Sequence, residues 1–222
     1  MSKQGQAPIL TEQEQKQVLK GLDKSAYKAR DKAIFLLSFK SGLRAKEIAE
    51  VCLGDFVNQV KPISAKPISS SAKTIQSDFY VDADLKKTVT LRRNVTKGSK
   101  VEKCHIVSKD LRSAILDYLN SRTRNVSVGM IGVSEEDKPL FSTHKGNGFN
   151  ANGMSKHFEA MSKKVGVKFT SHSGRRSICT RLVHEGTNMF DVQALMRHKD
   201  ISTTMLYYQK DEVRLGSIME SL

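Results

Sequence analysis

The stretch KARDKAIFLLSFKSG, residues 28–42, constrains the fold more than any other part of this chain. Its periodicity predicts a helix with apolar side chains nearly all round rather than on one stripe. Such a helix must be enclosed by other elements. Gly42 can end it in a left-handed conformation. The 222 residues are enough to build that enclosure as one domain with a substantial core.

The flanking sequence supplies further helices. In LTEQEQKQVLKGL (10–22), Thr11 and Glu14 stand at capping-box spacing, so a helix starts there. LRAKEIAEV (43–51) reads as a short helix directly after the central one. Ser108 can cap a helix running to about Ser121. Others are expected from Asn150 to Val165, from Ser173 to Glu185 with Gly186 closing it, and from Asn188 to about Arg197. STTMLYYQ (202–209) and DEVRLGSIMESL (211–222) complete the helical stretches. Alternating residues occur in DFYVDAD (78–84), KTVTLRRNV (87–95) and VEKCHIV (101–107). The turn TKGSK joins the last two as a hairpin. Residues 57–77, rich in Lys, Pro and Ser with KPIS twice, are expected to form a mobile loop, and 123–141 to be irregular. The fold class is therefore α+β, mostly helical with a small antiparallel sheet. Residues 1–9 form an N-terminal tail, 10–210 one domain, and 211–222 a C-terminal tail or helix.

Charge narrows the partner. Thirty-seven Lys and Arg against twenty-three Asp and Glu leave a net +14. Between Lys86 and Arg112, nine basic residues (Lys86, Lys87, Arg92, Arg93, Lys97, Lys100, Lys103, Lys109, Arg112) face two acidic ones (Glu102, Asp110), a local net of +7. Half the excess thus sits in an eighth of the chain. That points to a polyanion, nucleic acid first and an anionic membrane second. Cys52, Cys104 and Cys179 form no C-x-x-C pair and have no histidines at zinc-finger spacing, which argues for a reducing compartment and no structural metal. The polar opening MSKQGQAPIL is unlike a signal peptide, and AIFLLSF is too short to span a bilayer. A cytoplasmic protein with no membrane association is expected.

Individually, the candidate chemical groups are unremarkable. HSGRR puts His172 and Arg175 on one face at a helix entry, where a capping His beside a surface Arg is the commonplace reading. SGLRAKEI places Arg44 just past a helix-ending glycine. VTKGSK puts Lys97 at a hairpin tip. His198 in MRHKD closes a helix, where its charge would suit the dipole. Glu47, one turn after Arg44, is either an orienting group or an exposed carboxylate.

In order, these residues carry a family resemblance. Arg44, Lys97, His172 and Arg175, His198 twenty-three positions later and Tyr207 nine beyond that resemble the tyrosine recombinase (phage integrase) catalytic domain. SGLRAKEIAEV, PLFSTHKG and VQALMRHKDISTTMLYY resemble its boxes, and the likeness runs from about Leu10 to Tyr208. It implies a site-specific DNA recombinase. Its strand breakage and rejoining would pass through a 3′-phosphotyrosyl intermediate, with no cofactor or metal, for integration or excision of a mobile element. An invertase or resolvase of the same chemistry, a type IB topoisomerase, or a catalytically silent DNA-binding accessory protein stay open.

The resemblance assigns roles. Tyr207 would be the nucleophile, with Tyr208 about 100° away on a helix. Arg44 and Arg175 would grip non-bridging oxygens, a task for planar guanidinium. Lys97 would protonate the leaving 5′ oxygen, His172 would assist proton transfer and His198 would hydrogen-bond the phosphate. Arg92, Arg93, Lys100, Lys103, Arg176 and Arg197 are the expected DNA contacts. Arg197 stands where the family usually has Gly, and Arg176 where it usually has His. The likeness starts by Leu10, without the N-terminal clamp domain of most members, as in a catalytic fragment or a compact recombinase. Double-stranded DNA is the implied partner, with a free monomer and a homo-tetramer on DNA. The segment 211–222 would dock in trans.

Overall fold

The structure, a computed structural model, describes residues 6–58, 66–67, 74–77, 85–91, 101–121, 124–127, 135–208, 216 and 219–220. Helices α1 (Glu12–Leu22), α2 (Lys28–Ser41), α3 (Ala45–Glu50) and α4 (Leu53–Phe56) open the chain. Strands β1 (Lys66–Pro67), β2 (Thr74–Ser77), β3 (Thr88–Leu91) and β4 (Glu102–His105) follow, then α5 (Lys109–Ser121) and β5 (Arg124–Ser127). Helices α6 (Ala151–Val165), α7 (Ser173–His184), α8 (Met189–Met196) and α9 (Ser202–Tyr208) carry the chain to the site. The architecture is the expected one, mostly helical with small antiparallel sheets.

Local chemistry explains the helix boundaries. The Glu14 amide donates to Thr11 Oγ1 at 3.2 Å and the Thr11 amide to Glu14 Oε2 at 2.8 Å, a complete capping box. Asn150 caps α6 through the Gly153 amide. Gly42 ends α2 at φ 66°, its amide donating to Ser38 O. A side chain at that φ would be strained, and its Cβ would stand 3.1 Å from the Met196 methyl.

Helix α2 is the central element. Ala33 through Leu37 and Phe39 are buried, with Phe35 and Phe39 stacked at 4.2 Å and Phe169 edge-on to both. Each such ring contributes about 2–3 kcal/mol by burial. Helices α5 and α7 flank α2, while α3 and α1 pack on α6. Ile178, Cys179, Val192 and Met196 form a second, smaller core, with Leu182 and Tyr207 packed against it.

The β3–β4 hairpin is as expected, antiparallel with Thr88 opposite His105 and Leu91 opposite Glu102. Two expectations need correction. Inside 57–77, read as a loop, β1 and β2 pair antiparallel, and β2 pairs with β5 from the segment read as irregular. Backbone pairing of short strands leaves little periodicity in a sequence, and Pro67, lacking an amide donor, is tolerated because β1 is the edge of that sheet. The strand expected at 78–84 lies outside the described residues. Of 211–222, Gly216 and Met219–Glu220 are described, all helical. No helix among the described residues is long and apolar enough to cross a membrane.

Candidate active site

The site is built where the end of α2 meets the starts of α3 and α7. Gly174 makes the approach possible: a Cβ there would lie 2.4 Å from Ser38 Oγ and 2.6 Å from the Ser38 carbonyl carbon. The first turn of α7 therefore sits directly on α2. Arg175 is thereby buried, with Nη1 donating to Gly42 O at 2.9 Å. Its Nη2 is buried without a hydrogen-bond partner among the described residues, a donor left for a ligand. Burial, then the charges of Arg44 and Arg197, push Arg175 down to about 9, so it remains cationic at neutral pH.

Arg44 is the N-cap of α3 and is fixed by the carboxylate one turn on. Its amide donates to Glu47 Oε2 at 2.8 Å, its Nη1 to Glu47 Oε1 at 2.5 Å, and its Nη2 to Arg197 O at 3.0 Å. Glu47 is therefore no exposed carboxylate: it is 1% accessible. Burial raises its pKa, but the charges of Arg197 and Arg44 and the bonds from Arg44 outweigh this and hold it below the ordinary value.

His172 is exposed at the entry of α7. With Arg175, Arg176, His198, Thr203 and Tyr207 it lines a cavity of about 410 Å³. His198 is held from both sides: its Nδ1 lies 2.8 Å from Thr204 Oγ1, and Gln193 Nε2 donates to its carbonyl at 3.2 Å. Burial, then Arg175, Arg44 and Arg197, depress its pKa to about 4, leaving a neutral imidazole. Tyr207 is half-buried, and its phenol is raised by burial and by Cys179, against lowering from Arg176 and Arg175. Without a bound phosphate it is a neutral phenol. Tyr208 points elsewhere, donating to the Thr187 carbonyl.

The expected DNA contacts divide. Lys103 is exposed on β4. Arg176 donates to the Ala7 carbonyl and, at 2.5 Å, to Gln6 Oε1, so the first described residues lie against the cavity. Arg197 points inward: its side chain is 5% accessible and reaches Glu47 Oε2 at 2.9 Å and Glu102 Oε2 at 3.4 Å. Lys97, Arg92, Arg93 and Lys100 lie outside the described residues. Thr204, Gln193 and Glu102 were not anticipated. Only Thr204 carried a signal, as the second hydroxyl of the Thr-Thr pair preceding the tyrosines.

The sequence and the fold both resemble those of known proteins. Residues 8–214 match the model of the "Phage integrase family". The chain is 23% identical over 219 residues to tyrosine recombinase XerA of Pyrococcus furiosus, covering 96% of this chain and 63% of that protein. It is 25% identical over 207 residues to transposase A from transposon Tn554 of Staphylococcus aureus, covering 93% and 49%. An 81-residue stretch is 33% identical to tyrosine recombinase XerD of Listeria monocytogenes, 36% of this chain and 27% of that one. The chain thus spans about two thirds or less of the length of these relatives. Among solved structures, a XerA recombinase superposes with a TM-score of 0.64 at 17% identity over 98% of this chain and 66% of that one. The Tn1549 transposon integrase with a circular intermediate DNA superposes with 0.63 at 21% identity, over 100% and 68%. With a family model matched over nearly its entire length and a fold shared with these enzymes, the chain belongs to the phage integrase family.

Proposed function

We propose that this chain breaks and rejoins DNA as a tyrosine-type site-specific recombinase. The observation that carries the reading is the cavity in which His172, Arg175 and His198 meet Tyr207, with Arg44 bonded to the carbonyl of the residue before His198. The Tyr207 oxygen attacks the scissile phosphorus, forming a 3′-phosphotyrosyl ester and releasing a 5′-hydroxyl. The ester conserves the bond energy, so the 5′-hydroxyl of another strand can reverse the step without ATP or water. A phenol with a pKa of about 10, raised further by burial, is a poor nucleophile. The phosphate must therefore be engaged and the phenolic proton removed, a transfer assigned to His172 because it lines the same cavity. Arg44 and Arg175 hold the non-bridging oxygens and stabilise the charge that gathers in the transition state. Neutral His198 donates to the phosphate, and Lys97 supplies the proton for the departing 5′ oxygen.

The partner is double-stranded DNA carrying a specific site, bound by a tetramer that assembles from free monomers, with residues 211–222 docking in trans. Lys103, Arg92, Arg93, Lys100 and Arg176 contact the DNA. The use is integration or excision of a mobile element, supported by the likeness to the Tn554 transposase and the Tn1549 integrase fold.

The test is a nicked suicide duplex made from the DNA flanking the gene, whose cleaved strand loses its 5′-hydroxyl end. A covalent adduct at Tyr207 is expected. Binding without an adduct would leave only an accessory DNA-binding protein, and relaxation of any plasmid regardless of sequence would indicate a topoisomerase. Direct repeats bounding a mobile element would support integration, and inverted repeats around a promoter would support inversion.

A further inference from the structure

Arg197 occupies a conformation that its side chain does not favour. It ends α8 at φ 50°, ψ 47°, the only non-glycine residue with positive φ among those described. Left-handed backbone crowds a Cβ against the following carbonyl, and glycine is the usual occupant. Its guanidinium is also buried among cations, with Arg44 and Arg175 nearby, where a third positive charge is costly unless specifically paired. A residue kept for attraction to DNA would gain more by standing in solvent.

Its contacts account for both costs. Arg197 Nη2 donates to Gly42 O at 3.2 Å, the carbonyl that also accepts from Arg175. The same nitrogen donates to Glu47 Oε2 at 2.9 Å, the carboxylate that fixes Arg44. Its backbone carbonyl, aimed by the left-handed turn, accepts from Arg44 Nη2 at 3.0 Å. Its Nε lies 3.4 Å from Glu102 on β4, the strand that follows Lys97 in sequence. One residue thus touches the anchor of each phosphate-gripping arginine and braces them against the hairpin.

We propose that Arg197 is a positioning residue that locks Arg44 and Arg175 in register through Glu47 and the Gly42 carbonyl, and joins that cradle to β4 through Glu102. The inference rests on the strand-cleavage reading for its kinetic consequence, though not for its geometric one. Arg197→Gly removes the clamp and relieves the backbone, and urea titration establishes the conditions in which it is fully folded before adduct formation is compared. Arg197→Lys keeps the charge, but its single ammonium cannot stand both where Nη2 bonds Gly42 and Glu47 and where Nε faces Glu102.

In the full chain, both variants are expected to bind duplex DNA within about threefold of wild type while forming the covalent adduct at least about tenfold more slowly, since misplaced cations fail in the transition state. A methylphosphonate at the scissile position removes the charge that Arg44 and Arg175 grip, so on that substrate the deficit should largely vanish. A general loss of structure would slow both substrates equally. Independently of cleavage, the Nε–H signals of Arg44 and Arg175 in ¹⁵N-arginine spectra should be sharp in wild type and broadened by exchange in Arg197→Gly. Unchanged signals, or an adduct rate within about twofold of wild type, would overturn the assignment. A wild-type chain that forms no adduct would instead sink the recombinase reading, with the spectra still deciding whether Arg197 positions its neighbours.

Discussion

His198 is oriented by Thr204: Nδ1 of the imidazole lies 2.8 Å from the threonine hydroxyl, and Thr204 is wholly inaccessible to solvent. Because Nδ1 is occupied, Nε2 is the nitrogen left for the cavity. Thr204 stands on α9 three residues before Tyr207, so the helix that carries the proposed nucleophile also sets the imidazole. Thr204→Val keeps the shape but leaves Nδ1 in a buried place without its partner. A loss of about 1–2 kcal/mol in stability is expected, together with slower adduct formation on the suicide duplex, while Thr204→Ser should retain most of both. A Val variant cleaving at the wild-type rate would show that His198 needs no such support.

The neighbouring tyrosines should separate cleanly. Tyr207→Phe removes the phenolic hydroxyl from the cavity and should abolish the adduct, with stability held within about 0.5 kcal/mol because that hydroxyl has no hydrogen-bond partner among the described residues. Tyr208→Phe removes the donor to the Thr187 carbonyl, which pins the end of α9 to the turn after α7. It should retain adduct formation but lose about 0.5–1.5 kcal/mol. Urea titration and peptide mapping of the adduct check both, and a DNA-linked peptide attached through Tyr208 would reverse the assignment.

What could be read in the sequence was local. The Thr11 capping box, the left-handed Gly42, the Asn150 cap and the β3–β4 hairpin each depend on residues within a few positions of one another. The arrangement of Arg44, His172, Arg175, His198 and Tyr207 was legible through their spacing and family likeness. The inward turn of Arg197 was not, because a basic residue after a helix looks the same whether a carboxylate partner such as Glu47 stands 150 positions away or is absent. The β2–β5 pairing was hidden for a similar reason: nothing in TIQS or RNVS marks one as the partner of the other.

The depressed pKa of His198 makes stability depend on pH in a defined sense. Its folded value of about 4 lies below the unfolded value of about 6.5, so the unfolded chain takes up the proton first as pH falls. The contribution is fully present above about pH 6.5 and is lost as pH drops towards about 4. The urea midpoint should decline across that window, and less steeply in His198→Gln. A phosphate brought beside the imidazole favours the charged form, so DNA binding should raise the pKa and take up protons between these limits. Two-dimensional ¹H–¹⁵N spectra of the imidazole, with and without duplex DNA, read the shift directly. An imidazole titrating near 6.5 in the free protein would contradict the burial and the arginine field described for it.

Gly174 offers a test of how closely the site depends on helix contact. Its missing Cβ lets α7 rest on Ser38, and three atoms of Ser38, two of them backbone, stand within 2.7 Å of where a methyl group would be. Backbone atoms cannot rotate out of the way, so Gly174→Ala must separate α7 from α2, at a cost of about 1–3 kcal/mol or more. The displacement falls at the residue before Arg175, whose bond to Gly42 O spans the same junction. Adduct formation should therefore fall more than the unfolded fraction accounts for, on the order of tenfold beyond it, when measured where the variant is fully folded. Ser38→Gly removes the offending side chain but not the backbone atoms, so combining it with Gly174→Ala should recover only part of the loss. Full recovery in that double variant would mean that the Ser38 hydroxyl, rather than the helix backbone, sets how closely Arg175 approaches the end of α2.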